Sequence, residues 1–231
     1  MNRIILHLIL AFVVISQIVS GIYPFSYDWL NHISKPLIMP LIAIIFLTSY
    51  KGKDRVLKIR MLLAMLFSWV GDILLIFQER EPFFMVGLLC FLLAQIMYLS
   101  SFLRPQFIVR DIPLLRKMPL IASPFLIFGW LIFTTLRSEL GDLKLPVLIY
   151  MLAILAMAIF ALNRWERSSR KSFYLVFMGA LLFVSSDLIL AFNKFHEPIF
   201  WAGVWIMLTY IGAQYLIARG IAEGSEHQSI G

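Results

Sequence analysis

The sequence predicts an all-α, polytopic membrane helix bundle of about eight transmembrane helices. Three observations lead there. Apolar residues make up 61% of the 231-residue chain and charged residues 14%, against roughly 25% charged in an ordinary soluble domain. Mean hydropathy is +0.88, more apolar surface than a soluble fold of this size can hide but no burden in a bilayer. Finally, the apolar residues fall into runs of spanning length, separated by short charged loops.

The first run, Ile4–Ile22, is long enough to cross. It reads as an uncleaved helix, with a cleaved signal ending near Ser20-Gly21 as the alternative. The second, Pro36–Tyr50, is the shortest, and an earlier start is compatible with proline in a first helical turn. Then come Ile59–Phe77, Phe83–Leu103, Leu120–Leu136, Leu145–Leu162, Phe173–Phe192 and Ile199–Ala218. Residues 1–222 form one membrane domain on this reading, and 223–231 a disordered cytoplasmic tail. The single cysteine, Cys90, permits no intrachain disulfide and no cysteine-built zinc site.

The charges orient the bundle. Arg3, Lys51, Lys53, Arg55, Lys58, Arg60, Arg104, Arg110, Arg116, Lys117, Arg164, Arg167, Arg170, Lys171 and Arg219 fall on one side. Lys35, Arg80, Arg137, Lys144 and Lys194 fall on the other, 15 against 5 of the 20 basic residues. The positive-inside rule places both termini in the cytoplasm, which requires an even number of passes. The net charge of +7 therefore reads as topology. Without a basic stripe interleaved with aromatics, nucleic-acid binding is not expected, and no feature points to a protein partner. The expected location is the cell membrane, the inner membrane of a bacterium.

A parallel four-plus-four repeat shows faintly. The segment from Phe67 to Leu75, around Asp72, resembles that from Leu182 to Leu190, around Asp187. Each is followed by Glu-Pro-x-Phe-x-x-Gly, at Glu81–Gly87 and Glu197–Gly203. The aspartates are 115 positions apart and the Glu-Pro pairs 116, and parallel repeats put equivalent residues at equal depth.

A carboxylate inside a bilayer costs about 2.5–3.5 kcal/mol on insertion scales. Asp72 and Asp187 each lie roughly 8 Å inside the outer end of their helices at ~1.5 Å per residue, so both belong to one working site open to the outer half of the bilayer. A close acid pair can divide its labour, one member protonated and the other charged. Structural pairing with Lys35, Lys194, Ser or Tyr is the plainer alternative. Ser68 shares a face with Asp72; Gln95 and Tyr98 share a face of the fourth helix, and Tyr210 and Gln214 one of the eighth. Tyr150 lies inside the sixth helix, and Ser186 adjoins Asp187. Each of these polar residues also suits interhelical hydrogen bonding. Lys35, Asn193 and Lys194, near the outer ends, are placed to meet a phosphate head group or simply to snorkel. Gly71, Gly87, Gly179 and Gly203 are expected to allow close helix contact. Only His32 and His196 could join the aspartates at a metal, and no close histidine pair exists, so no metal and no cofactor are expected.

Several of these residues carry a family resemblance: Lys35-Pro36-Leu37, the Ser-x-x-Gly-Asp-x-x-Leu of Ser68 to Leu75, Gly179 to Asp187, Asn193-Lys194-Phe195, and Tyr210-x-x-x-Gln214-Tyr-Leu. From about Lys35 to Ala218 the chain resembles the YhhN family of lysoplasmalogenase-like membrane proteins. Gln95 departs from the pattern, in which many relatives carry His. The resemblance implies hydrolysis of the vinyl-ether bond of a lysoplasmalogen, or a related lysolipid. The products would be a fatty aldehyde and a glycerophospho-ethanolamine or -choline. Asp72 and Asp187 would act as acid and carboxylate in either order, by logic akin to glycosidases. The expected partners are then a lysophospholipid substrate and the bilayer. A proton-coupled transporter of a small molecule or lipid is the alternative that a buried acid pair in a repeat-built bundle also fits.

Overall fold

The computed structural model describes residues 3–104 and 113–226. Arg110 and residues 227–231 of the expected tail fall outside that range. The described regular structure is helical: α1 (Arg3–Ile22), α2 (Pro24–Ser49), α3 (Arg55–Leu75), α4 (Glu81–Phe102), the short α5 (Leu114–Lys117), α6 (Ser123–Leu136), α7 (Lys144–Leu162), α8 (Arg170–Phe195) and α9 (Ala202–Glu226). A 3-10 turn at Pro119–Ala122 leads into α6. The eight expected spans correspond to the eight long helices. Seven of these, counting α6 with its leading turn, are long and apolar enough to cross a membrane. The other, α3, has the length, but Lys58, Arg60 and Asp72 lie within it.

Helical periodicity sorts lipid-facing from bundle-facing side chains. In α1, Leu6, Leu10, Val13, Gln17 and Ser20 are buried, while Ile4, Leu8, Phe12 and Ile15 are exposed, the three-and-four spacing of one helix face. On that face Gln17 is an isolated amide in an apolar run, and it finds two partners on α2. Its Nε2 donates to Asn31 Oδ1 at 2.9 Å, and its Oε1 accepts from Ser34 Oγ at 2.6 Å.

Two elements differ from expectation. Helix α2 starts twelve residues before Pro36, with proline in its first turn and a break in helical geometry at Tyr27 (φ −130°, ψ 26°). Pro36 and Pro40 lie inside it. Proline at 40 has no N–H for the carbonyl of residue 36, and the Trp69 indole N–H of α3 donates to that carbonyl instead, at 2.8 Å. Helix α9 runs on to Glu226 rather than ending at Ala218. Lys171 pairs with Glu223 at 2.9 Å, and Ser225, fully buried, accepts from Lys51 N at 3.1 Å. Polar contacts thus join the buried Ile221 and Ala222 in holding this last stretch.

Contacts of this kind fix the direction of every long helix but α6. Arg3 donates to the Thr48 carbonyl at 2.9 Å, Arg60 to that of Ser100 at 2.8 Å, and Arg219 to Ser49 Oγ at 3.2 Å. Ser172 donates to the Gly220 carbonyl at 2.7 Å, Arg164 to Ser172 at 2.9 Å, and Leu115 N to Asn163 Oδ1 at 2.9 Å. The starts of α1, α3 and α8 therefore share one end of the bundle with the finishes of α2, α4, α7 and α9. That basic end carries both limits of the described chain.

Asp54 helps hold it together. Its Oδ1 caps α3 by accepting from Leu57 N at 3.0 Å, and its Oδ2 accepts from Arg104 Nε at 2.7 Å. Burial works against the charged carboxyl, but the Leu57 N–H and the Arg104 guanidinium outweigh it and hold Asp54 below the usual carboxylate range. A depressed folded-state value contributes stability that is present above the unfolded value and lost as pH falls through the folded one. Asp54→Ala should therefore destabilise by about 1 kcal/mol, the usual worth of such a cap. Thermal melts in detergent should show the full difference at neutral pH, and the difference should shrink as the pH falls below the ordinary carboxylate range.

The closest helix pairs are α3 with α4 and α8 with α9. Glycine makes this possible. A Cβ on Gly71 would lie 2.7 Å from the Phe91 ring, and one on Gly179 would lie 2.9 Å from the Ala213 carbonyl. Gly87 meets Leu75 at 3.1 Å. Gly203 is different, since a Cβ there would touch nothing within 4 Å; it borders a cavity. Part of the packing is shared by the two halves: α2 packs on α3 as α7 does on α8, and α2 on α9 as α7 does on α4.

Candidate active site

Near the end of the bundle opposite the basic face lies a cavity of about 660 Å³, walled by α1, α2, α3, α8 and α9. Asp72 and Asp187 both line it, although α3 and α8 do not pack closely on each other. They face a shared space and reach their partners on other helices. A second, narrow and almost wholly apolar slot of about 90 Å³ runs between α4, α6, α7 and α8. Asp187, Leu75, Phe91 and Leu190 border both spaces. A polar chamber and a greasy slot thus meet at one carboxyl group.

Each aspartate is held by a residue from each of two other helices. The Tyr210 hydroxyl of α9 donates to Asp72 Oδ2 at 2.8 Å. Lys35 of α2 borders the same cavity and acts electrostatically on Asp72. On the other side, the Tyr150 hydroxyl of α7 and Gln95 Nε2 of α4, the latter at 3.3 Å, both donate to Asp187 Oδ2. The positions correspond. Lys35 and Tyr150, Asp72 and Asp187, and Gln95 and Tyr210 are each separated by 115 residues. The pseudo-twofold arrangement makes each half complete the other's aspartate, because α9 serves Asp72 and α4 serves Asp187. Tyr98, which donates to Gln214 Oε1, joins α4 to α9 across the middle.

The halves differ in chemistry. Asp72 shares its cavity with Lys35, which acts on it electrostatically. Asp187 has neutral partners, both on Oδ2, leaving Oδ1 without a donor among the described residues. Gln95 Oε1 is likewise buried without a hydrogen-bond partner among them.

The other residues expected at the site sort by position. Ser186 borders the chamber, but its hydroxyl donates to the Ile206 carbonyl at 3.1 Å and ties α8 to α9. Ser68 accepts from Gln214 Nε2 at 3.0 Å, and both are fully buried behind the chamber wall. Asn193 and Lys194 line neither space. Asn193 Oδ1 accepts from Ile199 N at 2.9 Å and holds the turn into α9; Lys194 donates to the Gln78 carbonyl at 3.2 Å and covers the Phe84 ring. Residues that sequence reading missed, among them Asp28, Asn31 and Trp201, line the chamber beside Lys35. Hydropathy obscured them, because polar side chains facing a chamber lower the apolarity of the very segment that begins α2. No group of three or more His, Cys, Asp or Glu converges as metal ligands among the described residues.

The family model described as the YhhN family matches residues 30–221. This chain belongs to the YhhN family. The match covers every residue of the two aspartate clusters and leaves out all of α1. Among similar proteins of the YhhN chain, lysoplasmalogenase TMEM86A of Bos taurus is 30% identical over 178 residues, covering 72% of this chain and 67% of its own. Its Homo sapiens counterpart is 29% identical over 174 residues, with the same coverage. Lysoplasmalogenase TMEM86B of Sus scrofa is 32% identical over 164 residues, covering 69% of this chain and 62% of its own. The YhhN chain spans about two thirds of the length of these relatives. No solved structure matches it.

Proposed function

We propose that this protein is a membrane-embedded hydrolase that cleaves the vinyl-ether bond of a lysoplasmalogen or a closely related lysolipid. The observation that carries the reading is the junction at Asp187, where an apolar slot with room for the first few carbons of an alkenyl chain meets a chamber with polar and charged lining suited to a head group. The names of the relatives support the same substrate class. The positive-inside bias adds that the chamber faces away from the cytoplasm.

The chemistry follows from the bond. A vinyl ether is protonated on carbon, giving an oxocarbenium ion that water captures as a hemiacetal. Collapse yields the aldehyde and the free glycerol hydroxyl. One water is consumed and no electrons change hands. The reaction needs an acid beside the alkene carbon and a carboxylate that steadies the cation or takes a proton from water.

The two clusters divide these tasks. Asp187 is the acid: it lies where slot and chamber meet, has no cation beside it, and presents Oδ1 free while Tyr150 and Gln95 fix Oδ2. Asp72 is the carboxylate: Lys35 supplies its countercharge and Tyr210 fixes its orientation. The chamber beside it is roomy enough for water, and its volume is typical of a ligand site.

The test is release of fatty aldehyde by the purified protein in detergent. Turnover of alkenyl lysolipid, with no release from the saturated alkyl analogue, supports the hydrolase. If folded protein leaves both ethanolamine and choline alkenyl lipids intact, yet moves protons or lipid across a sealed membrane, a transporter takes its place.

A further inference from the structure

The apolar slot beside Asp187 has a volume of about 90 Å³, room for the first few carbons of a fatty chain and no more. The rest of the chain needs another place to lie. On α6 the slot is lined by Phe128, Ile132 and Leu136, four apart on one helix face. Leu136 is buried, but Phe128 is 40% exposed, so the slot reaches the outer surface of the bundle beside it.

The depth of that opening follows from α6. Glu139, just past the helix, meets His196 at the end of α8, with Oε1 2.8 Å from Nδ1. Helix α8 finishes at the end of the bundle opposite the basic face, and α6 therefore finishes there too. Phe128 lies eight residues before Leu136, about 12 Å deeper at 1.5 Å per residue. A chain that leaves the slot beside Phe128 thus emerges among the acyl tails of a bilayer rather than at its head groups.

Helix α6 is also the wall least tied to the rest. Apart from its leading turn, it packs closely on α7 alone among the described helices, where a Cβ on Gly129 would overlap Leu155. Leu126, Ile127, Trp130 and Leu131 are exposed, and the span is the least buried of those long and apolar enough to cross. A segment with few buried apolar contacts opens at low cost, and parting α6 from α4 and α8 breaks no close helix pair.

We infer that this flank is a lateral portal: the first carbons of the lipid chain fill the slot, the remainder passes Phe128 into the bilayer, and α6 is the wall that yields as the lipid enters or leaves. The portal rests on the lysolipid reading above for its occupant, but its test needs no turnover.

The probes are two saturated 1-O-alkyl-glycerophosphocholines, which have no vinyl bond to cleave, with a photoactivated diazirine on the fourth or the twelfth chain carbon. They are illuminated with the purified full chain in lipid nanodiscs, and labelled residues are identified by mass. Labelling counts as specific where excess unlabelled alkyl lysolipid suppresses it at least fivefold. The fourth-carbon probe should label slot residues such as Ile132 and Ala191. The twelfth-carbon probe should label exposed residues of α6 within a turn of Phe128. Specific labelling of the chamber walls on α1 or α9 by the twelfth-carbon probe, or of nothing on α6, overturns the portal. Phe128→Ala, with a native melting curve, should raise the affinity for a chain branched at its sixth carbon at least fivefold and leave the straight chain within twofold. Unchanged discrimination against the branched chain overturns the portal as well. If the slot is labelled and α6 is not, the portal falls and the lysolipid site stands. If both labels appear but alkenyl lipid releases no aldehyde, the portal stands and the hydrolase falls.

Discussion

Asp187→Asn should lower kcat for aldehyde release by about 10²–10⁴-fold, the usual contribution of a positioned general acid. The substitution keeps shape. An Asn side chain can still accept from Tyr150 and Gln95 through its carbonyl oxygen, so the α4–α7–α8 contacts survive and the melting curve should stay close to native. What is lost is the acidic proton on the atom that borders both slot and chamber. KM should change little, since the alkenyl chain and head group keep their contacts. A variant that melts normally and retains more than a tenth of native kcat would remove Asp187 from the acid role.

Asp72→Asn should produce a loss of similar size for a different reason. The proton can still be delivered, but the cation formed has no carboxylate beside it and water has no base. The distinction between the two aspartates is measurable. With Asp72→Ala, small anions such as azide or formate can enter the chamber, which is large enough at about 660 Å³, and should restore part of the activity in a concentration-dependent way. They should leave Asp187→Ala inactive, because an anion brings no proton. Rescue of the Asp187 variant alone would reverse the two roles.

Much of the fold was legible because a bilayer imposes it. Runs of spanning length and alternating charge foretold eight long helices and the basic end that gathers Arg3, Arg60, Arg164 and Arg219. The two aspartates were legible because a carboxylate in an apolar run has few structural excuses. Their partners were less so. The match of Lys35 with Tyr150, and of Gln95 with Tyr210, leaves no trace in residue type, since lysine and tyrosine, or glutamine and tyrosine, share no composition. Only the common spacing, together with the crossing of α9 to Asp72 and α4 to Asp187, brings it out. Asn193 and Lys194 misled for the opposite reason. A lysine at an outer loop looks available, yet a nearby carbonyl and a phenylalanine ring engage it. The start of α2 was missed because Asp28, Asn31 and His32 interrupt the hydropathy of a helix whose polar face looks onto a chamber rather than onto lipid.

In this mechanism a protein acid delivers a proton to the alkene carbon of a lysolipid. The most direct measurement is mass analysis of both products released from an alkenyl lysolipid by the purified protein in deuterated, oxygen-18-labelled water. One deuterium is expected on the carbon next to the aldehyde group, with a glycerol product that keeps the original ether oxygen. Aldehyde without that deuterium, or a glycerol oxygen drawn from the solvent, would contradict the mechanism.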